Sequence, residues 1–572
     1  MARNYGKVPI KVQKKSGFDK SFQNLFTGKV GTIVPILCDE LIPNSTVHLK
    51  AAITAALPPL ASDTFMRCKL KYASFFVPTR LIMPGFEGWL TGADESKESD
   101  SRAVVPQIQI GGTLMNKSDA ASIRIKETYY GPGTLADYLG FKLSQKQISY
   151  TLLSGENGYT DDIYINALPF LAYHKIYNDW FRNSLVQKDI YKEADTTSEY
   201  CPFSSNRVVP SVLHGYKFPL NPTEPSGQFS DGKTILSLRQ ANFGYDLFTT
   251  ASPKAQNGKA QAVSMASIDG TSGFTISALR AANSMQQFLE RNNLAGERLV
   301  DFVKAQYGAD LSDSIAQRPI LLGKGSFDVY SKGIYQTTPG IYEYGASDTV
   351  TYNTQNPFET VGARYGSPYA DGTDMLVDNF TASEPGYLMV LAWLSPKVSY
   401  STGIDPILSR YLNNSVSDMA NPILQNVGNE PIYNSQINSW SLLWEPKIGG
   451  KNDKIFGYME RYGNWKDRQD EVHGLLRDGG TLQSFALQRT FNDSAKTMMP
   501  NISNNFLEIP TTYLDQVSAV KGDVSKYGYW CDTYFDYKVS MPLAEYSIPS
   551  LQDPAYEHGV DISLDKGGKQ LN

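Results

Sequence analysis

The sequence predicts a mainly β protein built as one elaborated domain, with several α-helices set among long ordered loops, and three observations predict it. Tyr, Gly and Pro are plentiful, at 35, 46 and 31 of 572 residues, a composition of strands joined by shaped loops. Period-two alternation of apolar and polar residues occurs near both ends of the chain. No Pro/Ser-rich linker or repeat divides the chain into independent cores, and with 41% hydrophobic and 19% charged residues it is too apolar for general disorder.

Taken in order, the elements begin with a basic arm over 1–24. Arg3, Lys7, Lys11, Lys14, Lys15 and Lys20 stand against the single acid Asp19 within the first twenty residues, in a chain whose net charge is −5. Such asymmetry suits either an arm on a polyanion, where each cation displaces counterions from phosphate, or a solvated frayed terminus. Tyr5, Phe18 and Phe22 interleave with these cations and offer rings to unpaired bases. Val47, Leu49, Ala51, Ile53, Ala55 and Leu57 alternate as a strand with one buried face. A second strand follows at 67–77, where Cys68, Leu70 and Tyr72 oppose Arg67, Lys69 and Lys71 and Pro78 ends the ladder.

Two stretches read as surface loops, the acidic 91–101 and the Gly/Tyr/Asn/Asp-rich 333–380. Between them lie two helices. Pro169 suits a first helical turn, and Phe170, Tyr173, Tyr177, Trp180 and Phe181 then recur every three or four residues as an aromatic stripe. Ala278, Ala281, Ala282, Met285, Phe288 and Leu289 form a second stripe that Gly296 closes. Each stripe reads as packing surface, within or between subunits, rather than a cofactor site. Further strands are expected at 386–394, 439–446 and 530–542, each bounded by Pro or Gly.

Catalysis finds no support. His48, His174, His214, His473 and His558 are dispersed, and neither a GxSxG elbow nor an HExxH pair is present. Asp161-Asp162 would point to opposite faces of a strand, and Glu460-Arg461 reads as an ion pair. GKGS at 323–326 lacks the upstream glycine of a phosphate loop. Cys38, Cys68, Cys201 and Cys531 have the spacing of neither a metal knuckle nor a disulfide scaffold, so no metal or cofactor is expected. The N-terminus has no apolar core of an export signal and no span suits a membrane, which fits a reducing cytoplasm.

Several blocks share an order with a known family: SGFDKSFQNLFTGKVGTIVPILCDELIPNSTVHLKAA from Ser16, YASFFVPTRLI (72–82), GTLADYLGF (133–141) and LPFLAYHKIYNDWFRN (168–183). YDLFTTASPKAQNG (245–258), FTISALRAANSMQQFLERNNLAGERL (274–299), QRP within 315–323, IFGYMERYGNW (455–465) and MPLAEYSIPSL (541–551) continue it. In this the chain resembles the major capsid proteins of the tailless single-stranded DNA phages of the microvirus family, closest to the gokushovirus branch.

The resemblance implies an eight-stranded antiparallel viral jelly roll. Its strands would come from about 30–90 and 385–550, with 91–384 largely inserted loops and helices and 551–572 a tail. It implies sixty copies closing a T=1 shell around circular single-stranded DNA, with a small internal scaffolding or DNA-binding protein, a pilot protein and a host receptor as partners. Virion location and synthesis in the bacterial cytoplasm follow. Arg3, Lys7, Lys11, Lys14, Lys15 and Lys20 become candidate DNA contacts. Phe170, Tyr173, Tyr177, Trp180, Phe181, Tyr458, Arg461, Tyr462 and Tyr546 become candidate subunit-packing residues. One departure stands out: Lys259–Gly273 is short where family members insert a protrusion, so 91–165 or 333–380 would decorate the surface instead. Competing readings are a trimeric receptor-binding spike and a secreted carbohydrate-binding β protein; the first would form trimers, and the second calls for an export signal.

Overall fold

Nine strands form one curled antiparallel sheet: β1 Ser16–Asp19, β2 Phe22–Gly28, β3 Val34–Leu41, β4 Thr46–Ala56, β5 Cys68–Pro78, β6 Ile320–Gln336, β7 Arg364–Thr381, β8 Gly386–Pro396 and β9 Tyr529–Met541. The computed structural model describes residues 15–60, 64–83, 85–91, 105–111, 131–142, 163–190, 217–219, 233–255, 276–295, 298–336, 343–344, 350–351, 364–411, 419–439, 441, 454–491, 501–519 and 522–543. The helices used below are α1 Leu168–Ile176, α2 Ile276–Ala295 and α3 Leu299–Tyr307.

The strand order is β1–β9–β4–β7–β6–β5–β8–β3, with β2 also on β9. β1 and β2 flank β9 on the same side, opposite Lys538–Met541 and Tyr529–Phe535, and so fill one position. The interruption lies at Lys20 and Ser21, where the Tyr537 N–H donates to Ser21 Oγ at 3.1 Å. Eight positions result, in two groups of four, β2–β9–β4–β7 and β3–β8–β5–β6, continuous through β6 and β7. Each group interleaves early and late strands, the connectivity of a jelly roll, which hides sheet edges by folding the groups together. Phe76 of β5 meets Phe380 of β7 across the interior at 5.1 Å. Irregularities in β7 at Met375/Val377 and Val377/Phe380 supply local bends.

Alternation explains the core. Val47, Leu49, Ala51, Ile53 and Ala55 point inward from β4, and Tyr529, Cys531, Phe535, Tyr537 and Val539 from β9. Pro78 ends β5, as expected from its missing donor. Cys38, Cys68 and Cys531 are unpaired thiols, and burial pushes Cys38 up to about 12.

Two expectations need correction. The arm is shorter than 1–24, because Ser16–Asp19 and Phe22–Gly28 find backbone partners along β9. The region assigned mainly to insertions supplies two sheet strands, β6 and β7, so 333–380 is not one surface loop. Its glycines misled: a Cβ on Gly372 would lie 2.1 Å from Phe327 Cε1, so this glycine makes room for a ring inside a strand rather than turning the chain. At 439–446, Ser439 sits in a turn after the helical turn Asn434–Ile437, and most of the expected strand falls outside the described residues, as does the 92–101 loop.

Candidate assembly and nucleic-acid surfaces

The stripe on α1 faces inward on its own chain. Phe170, Tyr173 and Tyr177 are buried, and Pro169 sits in the first turn as the sequence requires. Tyr173 Oη donates to the Ile33 carbonyl at 2.8 Å and accepts from the Arg239 N–H at 2.8 Å. The Arg239 guanidinium lies 5.0 Å from the Tyr177 ring. The backbone continues past α1 in a wider turn, Tyr177–Phe181, carrying the last two rings onto the outer face of β5 and β8. There Trp180 and Phe181 lie 5.7 and 6.3 Å from Phe75, and Phe181 lies 4.9 Å from Trp393. Trp180 Nε1–H donates to Pro319 O at 2.9 Å, and Arg318 stacks on its ring at 4.2 Å. The packing therefore fits the within-chain alternative, and it leaves β8 buried almost throughout on both faces.

The other sheet is open on its outer face. β9 alternates cleanly, directing Trp530, Asp532 and Tyr534 outward, with Trp530 47% and Tyr534 53% exposed. Beside them β2 contributes Leu25, β4 Lys50 and Thr54, and β7 Thr373 and Met375. Its carboxylates have partners: Asp532 accepts from Gln23 at 2.8 Å, Asp371 from Tyr330 at 2.6 Å, and Asp536 pairs with Lys538 at 3.1 Å. The two rings are thus about half exposed, while two of these acids are hydrogen-bonded to neutral groups and Asp536 is ion-paired. Trp530 and Tyr534 were missed as candidates, although their even spacing from Asp532 placed all three on the polar face.

Of the six basic candidates, Arg3, Lys7, Lys11 and Lys14 lie outside the described residues. Lys15 Nζ donates to Thr46 Oγ1 at 3.2 Å, at the end of β4. Lys20 pairs with Asp39, which also accepts from Tyr537 Oη at 2.6 Å, and its ammonium lies 5.3 Å from the Tyr537 ring. Lys20 is thus engaged within the chain. Phe18 packs on the core and Phe22 on Phe535 at 5.1 Å, while Tyr5 lies outside the described residues.

In the 455–465 block, Tyr458 exchanges backbone bonds of 2.8 Å with Ser252 in both directions. Tyr462 is buried at φ 61°, its hydroxyl donating to Met419 O at 3.2 Å, with Arg461 over its ring at 5.2 Å. Burial holds the Glu430 carboxyl above its ordinary value, against N–H groups of Tyr462 and Gly463 and the charges of Arg461 and Arg410. Trp465 is the exposed ring here, stacked on Arg410 at 4.2 Å. Tyr546 lies outside the described residues.

Among the described residues no group of three His, Cys, Asp or Glu side chains gathers at metal-binding spacing. Glu460 pairs with Lys466 at 2.9 Å, and His473 lies on Glu471 at 3.0 Å. No described helix is long and apolar enough to cross a membrane.

The family profile described as "Capsid protein (F protein)" matches residues 6–124 and 147–551. The capsid protein VP1 of Chlamydia phage 1 is 24% identical, over 96% of this chain and 98% of its own length. VP1 of Bdellovibrio phage phiMH2K is 23% identical over 96% and 97%, and VP1 of Spiroplasma virus 4 is 23% identical over 91% and 93%.

Proposed function

The chain belongs to the F-type phage capsid protein family and serves as a capsid subunit, and from that premise we propose that sixty copies close a T=1 shell around circular single-stranded DNA. The observation that carries this reading is the family match over nearly the whole of a jelly-roll chain. Sixty identical subunits need one repeating set of self-closing contacts.

The genome side of the subunit is the open face of β2–β9–β4–β7. Lys15 is held at the end of β4, and Ser16 pairs with Met541, so the basic segment leaves the fold at the margin of that face. Cations of the arm neutralise phosphates, and Trp530 and Tyr534 offer stacking planes to unpaired bases. The β6–β7 hairpin continues past Val329 and Tyr369, the last residues paired with β5 and β4, and is the exterior decoration in this reading. A small internal scaffolding or DNA-binding protein, a pilot protein and a host receptor complete the partners, and the chain is made in the host cytoplasm.

Particle mass tests the shell directly. A megadalton assembly containing nuclease-protected single-stranded DNA is expected; a persistent 63.4 kDa monomer or a trimer refutes it. Limited proteolysis of intact particles tests the hairpin, where cleavage between 337 and 363 is expected and full protection counts against an exterior position.

A further inference from the structure

The outer face of β1, β2, β9, β4 and the part of β7 paired with β4 is acidic. Strand register puts Asp19 beside Lys538, Asp536 beside Lys50, and Asp532 and Asp371 on either side of Thr54, all directed away from the core. Asp378 lies on the same side, its carboxylate 3.8 Å from His48 Nδ1. Among the described residues of these stretches five carboxylates, Asp19, Asp371, Asp378, Asp532 and Asp536, therefore face outward against two ammoniums, Lys50 and Lys538. Gln23 and Tyr330, the donors to Asp532 and Asp371, are neutral. The rings of this face suit bases, but its charge does not attract phosphate. Apolar surface lies beside the acids: Leu25 stands opposite Asp532, hence diagonally between Trp530 and Tyr534, and is exposed.

The segment 1–14 complements both features. It carries Arg3, Lys7, Lys11 and Lys14 and no acid, and Val8, Ile10 and Val12 occupy every second position among its lysines. Its root already lies on this face. Lys15 Nζ donates to Thr46 Oγ1 at 3.2 Å, and Thr46 points outward opposite Ser540, near the end of β9 remote from Trp530. The path from Ser540 to Trp530 is about 33 Å, whereas fourteen extended residues span about 46 Å, so the segment is long enough to run the length of the face. Laid along β9 from Lys15 at Ser540, Lys11 comes level with Asp536 and Lys7 with Asp532, while Ile10 and Val8 straddle Tyr534. Long lysine stems carry the ammoniums sideways to the carboxylates while the apolar side chains meet the ring and Leu25.

We infer that in the dissociated subunit residues 1–14 dock on this face of their own chain, held by charge and by the Tyr534 and Leu25 patch, and that single-stranded DNA displaces them. The contact is autoinhibitory: it covers the stacking planes until a polyanion draws the cations from carboxylate to phosphate. The displacement rests on the reading of this face as the genome side, whereas the docking stands on charge, reach and the position of Lys15.

Disulfide trapping in the full-length dissociated subunit tests both steps. Ile10→Cys with Leu25→Cys should bridge within one chain, identified by peptide mapping, about tenfold faster at low salt than in about 1 M NaCl, where a Debye length of about 3 Å leaves only the tether to bring the thiols together. Adding Lys7→Gln and Lys11→Gln should lower the low-salt rate to that tether value, and so should a saturating oligodeoxythymidine. Ile10→Cys with Met285→Cys on α2 or Leu299→Cys on α3 is the off-face control; both sites are exposed, and Arg298 between the helices is bonded to Asn178 O and Arg182 O beside the other sheet. Equal trapping rates at the two salt concentrations, control bridges as fast as the 10–25 bridge, or bridges only between chains overturn the docking and leave the genome-side reading standing. Fast trapping that a bound oligodeoxythymidine fails to slow overturns the displacement, and the genome-side reading of this face with it.

Discussion

Arg239 Nε donates to His174 Nδ1 at 3.0 Å with both side chains completely buried, which fixes the imidazole as the tautomer whose Nε2–H donates to Ile235 O at 2.8 Å. Burial first, and the adjacent guanidinium second, hold the His174 pKa well below 6.5. An unfolded chain therefore binds one more proton here than the folded chain once pH drops below 6.5. The stabilising contribution is complete above that pH and is lost as pH falls toward the folded value. Urea unfolding of the dissociated subunit should show stability declining through this window. His174→Gln keeps an acceptor for Arg239 and a donor for Ile235 without titrating, so it should flatten the slope; an unchanged slope would assign the acid sensitivity elsewhere.

The strip that Arg239 belongs to is equally exacting at Gly31. Ile33 N–H donates to Arg239 O and Ala241 N–H to Gly31 O, stitching 31–33 to 239–241. Gly31 adopts φ +71°, and an added Cβ would sit 2.6 Å from Ile509 Cβ. Gly31→Ala combines left-handed backbone strain with overpacking and should cost roughly 2–4 kcal/mol. Calorimetry of the dissociated subunit checks this, and a loss under 1 kcal/mol would mean that 509 yields easily.

Strands with one wet face could be read from the sequence: β4 and β9 announce themselves by alternation because solvent requires polar residues at every second position. β7 could not, since Gly372 answers to Phe327 on β6 and Asp374 to Tyr72 on β5, requirements that no local pattern displays. The candidate surfaces divide in the same manner. Periodicity located the ring stripe on α1 but carried no information on what covers it, and Lys20 looked like its basic neighbours until folding placed Asp39 beside it. Trp530 and Tyr534 were readable in principle, since both fall on the polar side of an alternating strand.

Trp180 separates packing within the subunit from packing between subunits. It contributes a ring against Phe75, a hydrogen bond to Pro319 O and a platform for Arg318, all inside one chain. Trp180→Ala should destabilise the dissociated subunit by about 3 kcal/mol, and Trp180→Phe, which loses chiefly the hydrogen bond, by about 1–2 kcal/mol. Equal unfolding midpoints for all three proteins, with assembly alone impaired, would place the ring at an interface instead.

The two ends of the basic segment should behave differently toward nucleic acid. Each phosphate contact on a single strand contributes about 0.7 to the slope of log affinity against log salt, so replacing Arg3, Lys7, Lys11 and Lys14 with Gln should flatten that slope by up to about 3. Lys20→Gln should leave the slope as it is, because that ammonium already neutralises Asp39 and lies over the Tyr537 ring. Its removal should instead loosen the junction of β1 and β2, where Tyr537 donates to Asp39 and to Ser21, and be read as faster hydrogen exchange at Ser21 and Tyr537. Anisotropy titrations of a labelled oligodeoxythymidine with the dissociated subunit, repeated across salt concentrations, measure both slopes. Should Lys20→Gln reduce the slope as much as any single arm substitution, the ion pair with Asp39 must open when DNA binds, and the arm would begin at β2 rather than before β1.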